Sequence, residues 1–230
     1  DVTYSNNRVV NDIFYNTDQI ATVRVVDRNF DPTGVTVTGA TLSGWVQNGD
    51  ISTATASFSE DGEYAFSVGV TDKASNTGNS FDSGSFTIDK TVPELNVLGV
   101  QSGVSYKKDV SAQTTFSDKH LDNSKTTISL VSRSGREVPL DGSINETTGE
   151  FALANPELAI ENDDYYLLKA VVTDLAGNVT EQSVDFSINR FGSQFTFVNQ
   201  EYLGKYLNLV DDVKIIETSM DRLDENASRQ

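Results

Sequence analysis

The chain has 230 residues, 37% of them hydrophobic, which is enough for two domains that each bury a core. It has no cysteine, so disulfide-stapled folds, thiol catalysis and cysteine metal sites are excluded. Its 34 acidic residues outnumber 17 basic ones, and the resulting net charge of −17 would repel phosphate backbones and anionic lipids. No apolar run is long enough to span a bilayer. We expect no nucleic-acid partner and no membrane insertion.

Short stretches of alternating apolar and polar residues predict β-strands along the first part of the chain. In chain order, their apolar positions are Val2 and Tyr4; Ala21, Val23 and Val25; Val35 and Val37; Ala54, Ala56 and Phe58; Tyr64, Phe66, Val68 and Val70; and Phe86 and Ile88. About seven short strands separated by turns are typical of an immunoglobulin-like β-sandwich.

The chain then repeats itself. VGVTDKASN at 68–76 returns as AVVTDLAGN at 170–178, and ATVRVVDRNFD at 21–31 returns as AQTTFSDKHLD at 112–122. The second copy carries about eleven extra residues after Arg136, in polar sequence where a surface loop tolerates length. The repeat predicts two domains of the same fold.

The predicted domains are a first repeat at 1–91, a second at 92–190, and a partial third domain or C-terminal cap at 191–230. The last segment contains no VTDxAGN motif, and it offers one strand at 194–198 and an ambiguous apolar stretch at 210–216. Pro93 ends the connection DKTVP and restricts the residue before it to extended backbone. We therefore expect a short, stiff linker, as a stalk needs.

The motifs VTDKASN and VTDLAGN, with DGEY before the first and IDKTVP after it, resemble the bacterial immunoglobulin-like repeats of large Gram-positive surface proteins. The resemblance covers residues 1–190. It implies an all-β fold of tandem immunoglobulin-like sandwiches, an extracellular or cell-surface location, and neighbouring domains of the same larger protein as partners. It implies no chemistry.

Several residues are expected to hold the framework. Tyr64 and Tyr166 follow an acidic turn at the start of a strand, where a tyrosine corner would lie. Asp72 and Asp174 each close a strand into a turn, and the asparagines that follow, Asn76 and Asn178, are expected to bond the turn backbone. The motif differs at Ser75, where Gly177 stands in the second copy, but Asn76 can still take a left-handed conformation there.

The loop aspartates are the candidate metal ligands. Asp27 and Asp31 in the first copy match Asp118 and Asp122 in the second, and their oxygens suit Ca²⁺. Two carboxylates in each copy fall short of the roughly six to eight oxygens that Ca²⁺ takes, so a turn-stabilising role is favoured. The linker residues Asp89 and Glu94 raise the same possibility with less specificity. No cofactor is expected beyond this calcium hypothesis.

Trp45, the only tryptophan, is matched by Arg136 in the second copy, which indicates a rim or loop position. Its ring could stack on a sugar, although partly exposed packing is favoured. His120 is the only histidine and is matched by Asn29, so we interpret it as a loop residue. No motif supplies it with a nucleophile, and no catalytic residue is predicted.

The sequence favours a non-catalytic structural or interaction module, a spacer or adhesin stalk of a secreted bacterial surface protein. The alternative is a glycan-binding accessory region of a secreted carbohydrate-active enzyme, with Trp45 as its platform. The partner of the glycan-binding alternative would be a glycan. The partner of an adhesin stalk could be a host or cell-surface protein.

Overall fold

A computed structural model describes residues 1–6, 13–108, 110, 112–133, 150–152, 163–190, 194–206 and 214–218. The chain forms two compact units. Unit 1 comprises Asp1–Pro93, Asp118–Lys125 and Thr173–Thr180, and unit 2 comprises Glu94–Ser117, Thr126–Val172 and Glu181–Gln230.

Strands dominate both units. The described strands are β1 Val2–Tyr4, β2 Phe14–Tyr15, β3 Gln19–Val26, β4 Val35–Thr38, β5 Val46–Asn48, β6 Ile51–Phe58, β7 Gly62–Tyr64, β8 Ser67–Val70, β9 Phe81–Asp82, β10 Phe86–Ile88, β11 Glu94–Leu98, β12 Val104–Tyr106, β13 Gln113–Ser117, β14 Thr127–Ser132, β15 Glu150–Ala152, β16 Asp164–Thr173, β17 Val179–Ile188, β18 Gln194–Phe197 and β19 Ile215–Thr218. The helical elements of the described ranges are single 3₁₀ turns at Pro32–Gly34 and Gln200–Tyr202. Within those ranges, no helix has the length and apolar character needed to cross a membrane.

Unit 1 is an immunoglobulin-like sandwich. One sheet has the strand order β1-β3-β6-β5, and β2-β10-β7 and β4-β8-β9 supply the other side. Alternation directs one face of each strand inward. The buried core between the sheets consists of Ala21, Val23, Ala56, Phe58, Phe66, Val68, Phe86 and Ile88.

Unit 2 follows the same plan. Its sheets have the orders β11-β13-β15 and β12-β17-β16-β14. Every second residue of β16 from Tyr166 to Val172 is fully buried. Its core consists of Val100, Ala112, Leu130, Tyr166, Leu168, Val184, Phe186 and Ile188.

The initial strand segments have one feature in common. In unit 1, β1 pairs antiparallel with β3, whereas β2 pairs parallel with β10 in the opposite sheet. In unit 2, β11 pairs antiparallel with β13, and β12 pairs parallel with β17. The first part of each sandwich therefore contributes to both of its sheets.

The all-β, immunoglobulin-like class predicted from the sequence is confirmed. One predicted strand differs: the apolar positions from Tyr64 to Val70 belong to two strands, β7 and β8. β7 pairs with β10, whereas β8 pairs with β4 and β9, and between the two strands the Phe66 N–H donates to Ser83 Oγ at 2.9 Å. The predicted insertion after Arg136 lies outside the described residues, and the repeat boundaries stay a prediction. In the C-terminal segment, β18 pairs antiparallel with β19.

Candidate functional site

The aspartates of the first loop bond their own backbone. The carboxylate of Asp27 accepts from the Asn29 N–H at 2.7 Å. That of Asp31 accepts from the N–H and the hydroxyl of Thr33, at 2.9 and 2.7 Å, and these bonds, led by the hydroxyl, lower the pKa of Asp31. Asp31 thereby caps the 3₁₀ turn Pro32–Gly34.

The aligned loop of the second copy makes the same turns. The carboxylate of Asp118 accepts from the His120 N–H at 2.6 Å. Asp122 accepts from the N–H of Ser124 at 3.1 Å and pairs with Lys125 at 3.2 Å, and its pKa is lowered first by the Ser124 hydroxyl and then by Lys125. In both loops each carboxylate holds the residue two positions on, which is an Asx turn.

Only one of these four candidate metal ligands joins a ligand cluster in the described part of the chain. Asp118 lies with Asp89 and His120, and one ligand atom from each of the three lies within 4.8 Å of the others. The closest approach is 2.6 Å, between His120 Nδ1 and Asp89 Oδ2. We call Asp89, Asp118 and His120 the DDH cluster.

Backbone bonds fix the DDH cluster in place. The Asp89 N–H, directly after β10, donates to the carbonyl of Tyr15 at 2.9 Å. The carbonyl of His120 accepts from the Leu175 N–H at 2.7 Å, and the His120 ring lies edge-on to Phe14 with centroids 5.3 Å apart. The Asp89 residue is only 5% exposed. The cluster is therefore held by the framework of unit 1.

Asp174 adds a third carboxylate beside the cluster. It is fully buried, and its two oxygens accept from the N–H and the side-chain amide of Asn178, at 2.8 and 2.7 Å. Burial raises the pKa of Asp174, the bonds from Asn178 lower it, and the charges of Asp89 and Asp118 raise it further. The net result is a raised pKa.

Asn178 also fixes the predicted linker. Its side-chain amide donates to the carbonyls of Asp89 and Thr91, at 2.8 and 3.0 Å. The hydroxyl of Thr180 donates to the carbonyl of Pro93 at 2.6 Å, and Pro93 is fully buried. Side-chain hydrogen bonds thus restrain the DKTVP segment, in addition to the restriction that Pro93 places on its backbone.

The turn at Asp72 has the same internal bonds without these outward ones. Its carboxylate accepts from the N–H groups of Ala74 and Asn76, at 2.8 and 2.7 Å, and from the Asn76 amide at 2.9 Å. The left-handed residue is Ser75, with φ of 65°, and its counterpart Gly177 has φ of 83°. The expectation that Asn76 takes this conformation was wrong, because Asn76 is engaged by Asp72.

The two predicted corner tyrosines pack similarly. The Tyr64 hydroxyl donates to the carbonyl of Glu60, four residues upstream, at 2.8 Å. Tyr64 stacks on Phe86 with ring centroids 5.6 Å apart, and Tyr166 stacks on Phe186 at 5.7 Å. Both pairs belong to the cores of their units.

Trp45 is partly buried and packs against the core of unit 1. Its ring lies 4.7 Å from that of Phe30, itself 4% exposed, between centroids. Part of the indole surface is thus used in packing, and the remainder is what a sugar could contact.

Sequence reasoning missed two contacts. The His120–Asp89 pair joins residues 31 positions apart, and the ion pair between Arg190 Nε and Asp163, 2.7 Å long with both side chains buried, spans 27 positions. For the second contact the signal available was the repeat itself, since DGEY matches DDYY and IDK matches INR. His120 Nδ1 faces the Asp89 carboxylate, as the base of a catalytic triad does, but no hydroxyl of the described residues bonds His120 Nε2.

The chain matches no known protein family. It matches none of the curated proteins either. Among solved structures it is similar to fibronectin(III)-like modules of Clostridium thermocellum CbhA (15% identity, covering 82% of this chain and 94% of that one, TM-score 0.33). It is also similar to the Yersinia pseudotuberculosis adhesin InvE (15% identity, covering 80% of this chain and 58% of that one, TM-score 0.31). A third similar structure is a tetra-tandem repeat in the extending region of a large adhesion protein (16% identity, covering 86% of this chain and 52% of that one, TM-score 0.38). At these identities and TM-scores the similarities carry no argument about function.

Proposed function

We propose that this chain is a non-catalytic spacer or adhesin stalk of a secreted bacterial surface protein, joined to neighbouring domains of that protein. The observation that supports this is the use of its loop side chains. Asp27, Asp31, Asp72 and Asp122 all accept bonds from their own turns. Such loops favour a fixed shape over an open binding surface.

The linker supports the same proposal. A spacer requires that the connection between its domains resist bending. Asn178 and Thr180 bond the backbone of Asp89, Thr91 and Pro93. These bonds restrict the segment that the repeat boundaries place between two domains.

A replacement experiment in the parent surface protein tests the spacer role. Removing residues 1–190 should abolish exposure of the parts beyond them, measured by antibody binding to intact cells. Inserting two unrelated sandwiches of equal length should restore exposure, because a spacer contributes length and stiffness. If the protein carrying the unrelated pair reaches the cell surface in equal amount and still fails to restore exposure, the specific surface of this chain matters and the spacer proposal is wrong.

The second candidate is glycan binding at Trp45, since its ring is only partly buried beside Phe30. Titration with a glycan panel, following the single tryptophan's fluorescence, separates the two candidates. A saturable change, retained in Tyr206→Ala and absent when a Trp45→Phe variant is assayed by calorimetry, would favour the glycan-binding module. If no glycan produces heat in calorimetry or a change in fluorescence, the spacer role is favoured.

A further inference from the structure

We infer that the DDH cluster binds one divalent transition-metal ion, Zn²⁺ or an ion of similar ligand preference. Asp89, Asp118 and His120 place a carboxylate oxygen, a second carboxylate oxygen and an imidazole nitrogen within 4.8 Å of one another. Three protein ligands with an open position for water are the usual complement of an accessible zinc site. This inference does not depend on the spacer role.

The ligand types select the cation. Ca²⁺ and Mg²⁺ prefer shells made of oxygen alone, whereas an imidazole suits Zn²⁺, Cu²⁺, Ni²⁺ and Co²⁺. The two carboxylates and a neutral imidazole carry two negative charges in total, which one divalent ion balances. The cluster therefore differs from the calcium sites that Asp118 and Asp122 suggest in sequence, because Asp122 is engaged by Ser124 and Lys125.

The ligand atoms face one another before any ion binds. Asp118 uses one oxygen to hold the His120 N–H, so its other oxygen remains for a metal. The imidazole Nδ1 lies 2.6 Å from Asp89 Oδ2. A metal bound at Nδ1 takes the place of any proton on that nitrogen. That proton moves to Nε2 if the imidazole was neutral, and it is released to solvent if the ring was an imidazolium.

The surroundings also favour a cation. Asp174 is fully buried, and the charges of Asp89 and Asp118 act on it. Concentrated negative charge in a buried setting is unfavourable unless a cation offsets it. Lys119, the cation adjacent to the cluster in sequence, pairs instead with Glu63 at 3.5 Å.

The chain contains its own matched control. The aligned loop of the first copy has the same turn, in which Asp27 holds the N–H of Asn29, where the second copy has Asp118 and His120. That loop lacks the imidazole, and no third ligand joins it within the described ranges. His120→Asn therefore keeps a turn that this chain already builds with asparagine at Asp27–Asn29.

Titration of the full chain tests the site. Calorimetry with ZnCl₂ should give one saturable site per chain, and Co²⁺ should produce the visible absorption bands of a low-coordinate nitrogen and oxygen site. Zn²⁺ should raise the melting temperature, whereas equal Ca²⁺ or Mg²⁺ should not. His120→Asn should weaken Zn²⁺ binding by at least about tenfold, and Asp27→Asn should leave it unchanged.

Three results would overturn the inference: no saturable Zn²⁺ binding, unchanged binding in His120→Asn, or an equal response to Ca²⁺. If His120→Asn does not fold, proton NMR of the wild type decides, because the single histidine gives one set of ring signals. These signals should shift and saturate at one equivalent of Zn²⁺. Failure here leaves the spacer role intact, since the display experiment reads length alone.

Discussion

Ser75 carries a backbone conformation that its side chain disfavours. Its φ of 65° lies in the left-handed region, and Ser75 is the one non-glycine residue of the described ranges with a positive φ. A non-glycine residue costs about 1–2 kcal/mol there, partly offset in a glycine variant by the greater freedom of its unfolded chain. Ser75→Gly should therefore raise the free energy of unfolding by about 0.5 kcal/mol in urea denaturation.

Gly177 provides the reciprocal control for Ser75. With φ of 83° in the same turn position, Gly177→Ser should lower the free energy of unfolding by about 1 kcal/mol. Opposite signs for the two exchanges are the expected result. Destabilisation by both would show that local packing, and not backbone conformation, sets the preference.

Asp185 should make stability depend on pH. The Ser102 hydroxyl, followed by that of Tyr165, bonds its carboxylate and lowers its pKa. A lowered carboxyl pKa contributes stability that is present above the unfolded-state pKa of about 3.9 and is lost as pH falls through the folded pKa. Asp185→Asn should thus be less stable than wild type at pH 7, with the difference shrinking toward zero well below pH 3.

Urea unfolding of both proteins at several pH values measures this effect. If the stability difference between Asp185→Asn and wild type stayed constant from neutral to acid pH, the negative charge of Asp185 would not contribute to stability.

Local turns were predictable at the residue scale, whereas long-range pairs were not. Asp72 and Asn76 are four positions apart, so their bond follows from the sequence near them. His120 was interpreted as a loop residue from its match with Asn29, and its partner Asp89, 31 positions away, was not foreseen. That contact depends on how two distant loops are placed, which periodicity does not encode.

At the element scale, the ends of β16 and β17 are tied by a buried ion pair. Asp163 precedes β16 and Arg190 follows β17, and their side chains are 3% and 5% exposed. Removing the Asp163 carboxylate breaks this buried ion pair, at a cost of about 3–5 kcal/mol. We expect Asp163→Ala to destabilise unit 2 by that amount in thermal or urea unfolding.

The corresponding position in unit 1 supplies the comparison. Asp61 is exposed, and it accepts from the Lys90 N–H at 2.9 Å and the Thr91 hydroxyl at 2.6 Å. Asp61→Ala should cost about 1 kcal/mol, the usual value of a hydrogen bond near the surface. If Asp61→Ala lowered the free energy of unfolding as much as Asp163→Ala does, burial would not explain the larger effect expected at Asp163.

The strands themselves were largely predictable. Alternation located β3 and β6, because the residues on one face of each strand are more buried than those on the other. It also located β10, although all three of its residues are buried. It missed β2 and β9, which have two residues each and so show no period, and β5, which is exposed at all three positions and has no buried face.

At the scale of the whole molecule, the net charge of −17 should oppose compactness. Raising NaCl from about 0.01 M to 0.15 M shortens the Debye length from roughly 30 to 8 Å and screens this repulsion. We expect the melting temperature to rise by a few degrees in calorimetry. Neutral sucrose of equal osmolality is the control, and a flat or falling response to salt would show that exposed ion pairs outweigh the repulsion.

The two sandwiches were evident from the repeated motifs, but the units are not simple consecutive segments. Unit 1 takes in Asp118–Lys125 and Thr173–Thr180 as well as the first part of the chain. The repeat assigns each residue to a domain by the strand it belongs to, whereas a compact unit is defined by contacts, including those made by loops. The two ways of assigning residues disagree for the loops at the boundary.

The parallel pairing of β2 with β10, and of β12 with β17, has a mechanical consequence. A pull on the two ends of a sandwich draws its first and last strands in opposite directions along their length. Parallel neighbours are then loaded in shear, and their hydrogen bonds must rupture together. An antiparallel terminal pair would instead peel open one bond at a time. Each sandwich can therefore bear tension between its two ends while it stays folded.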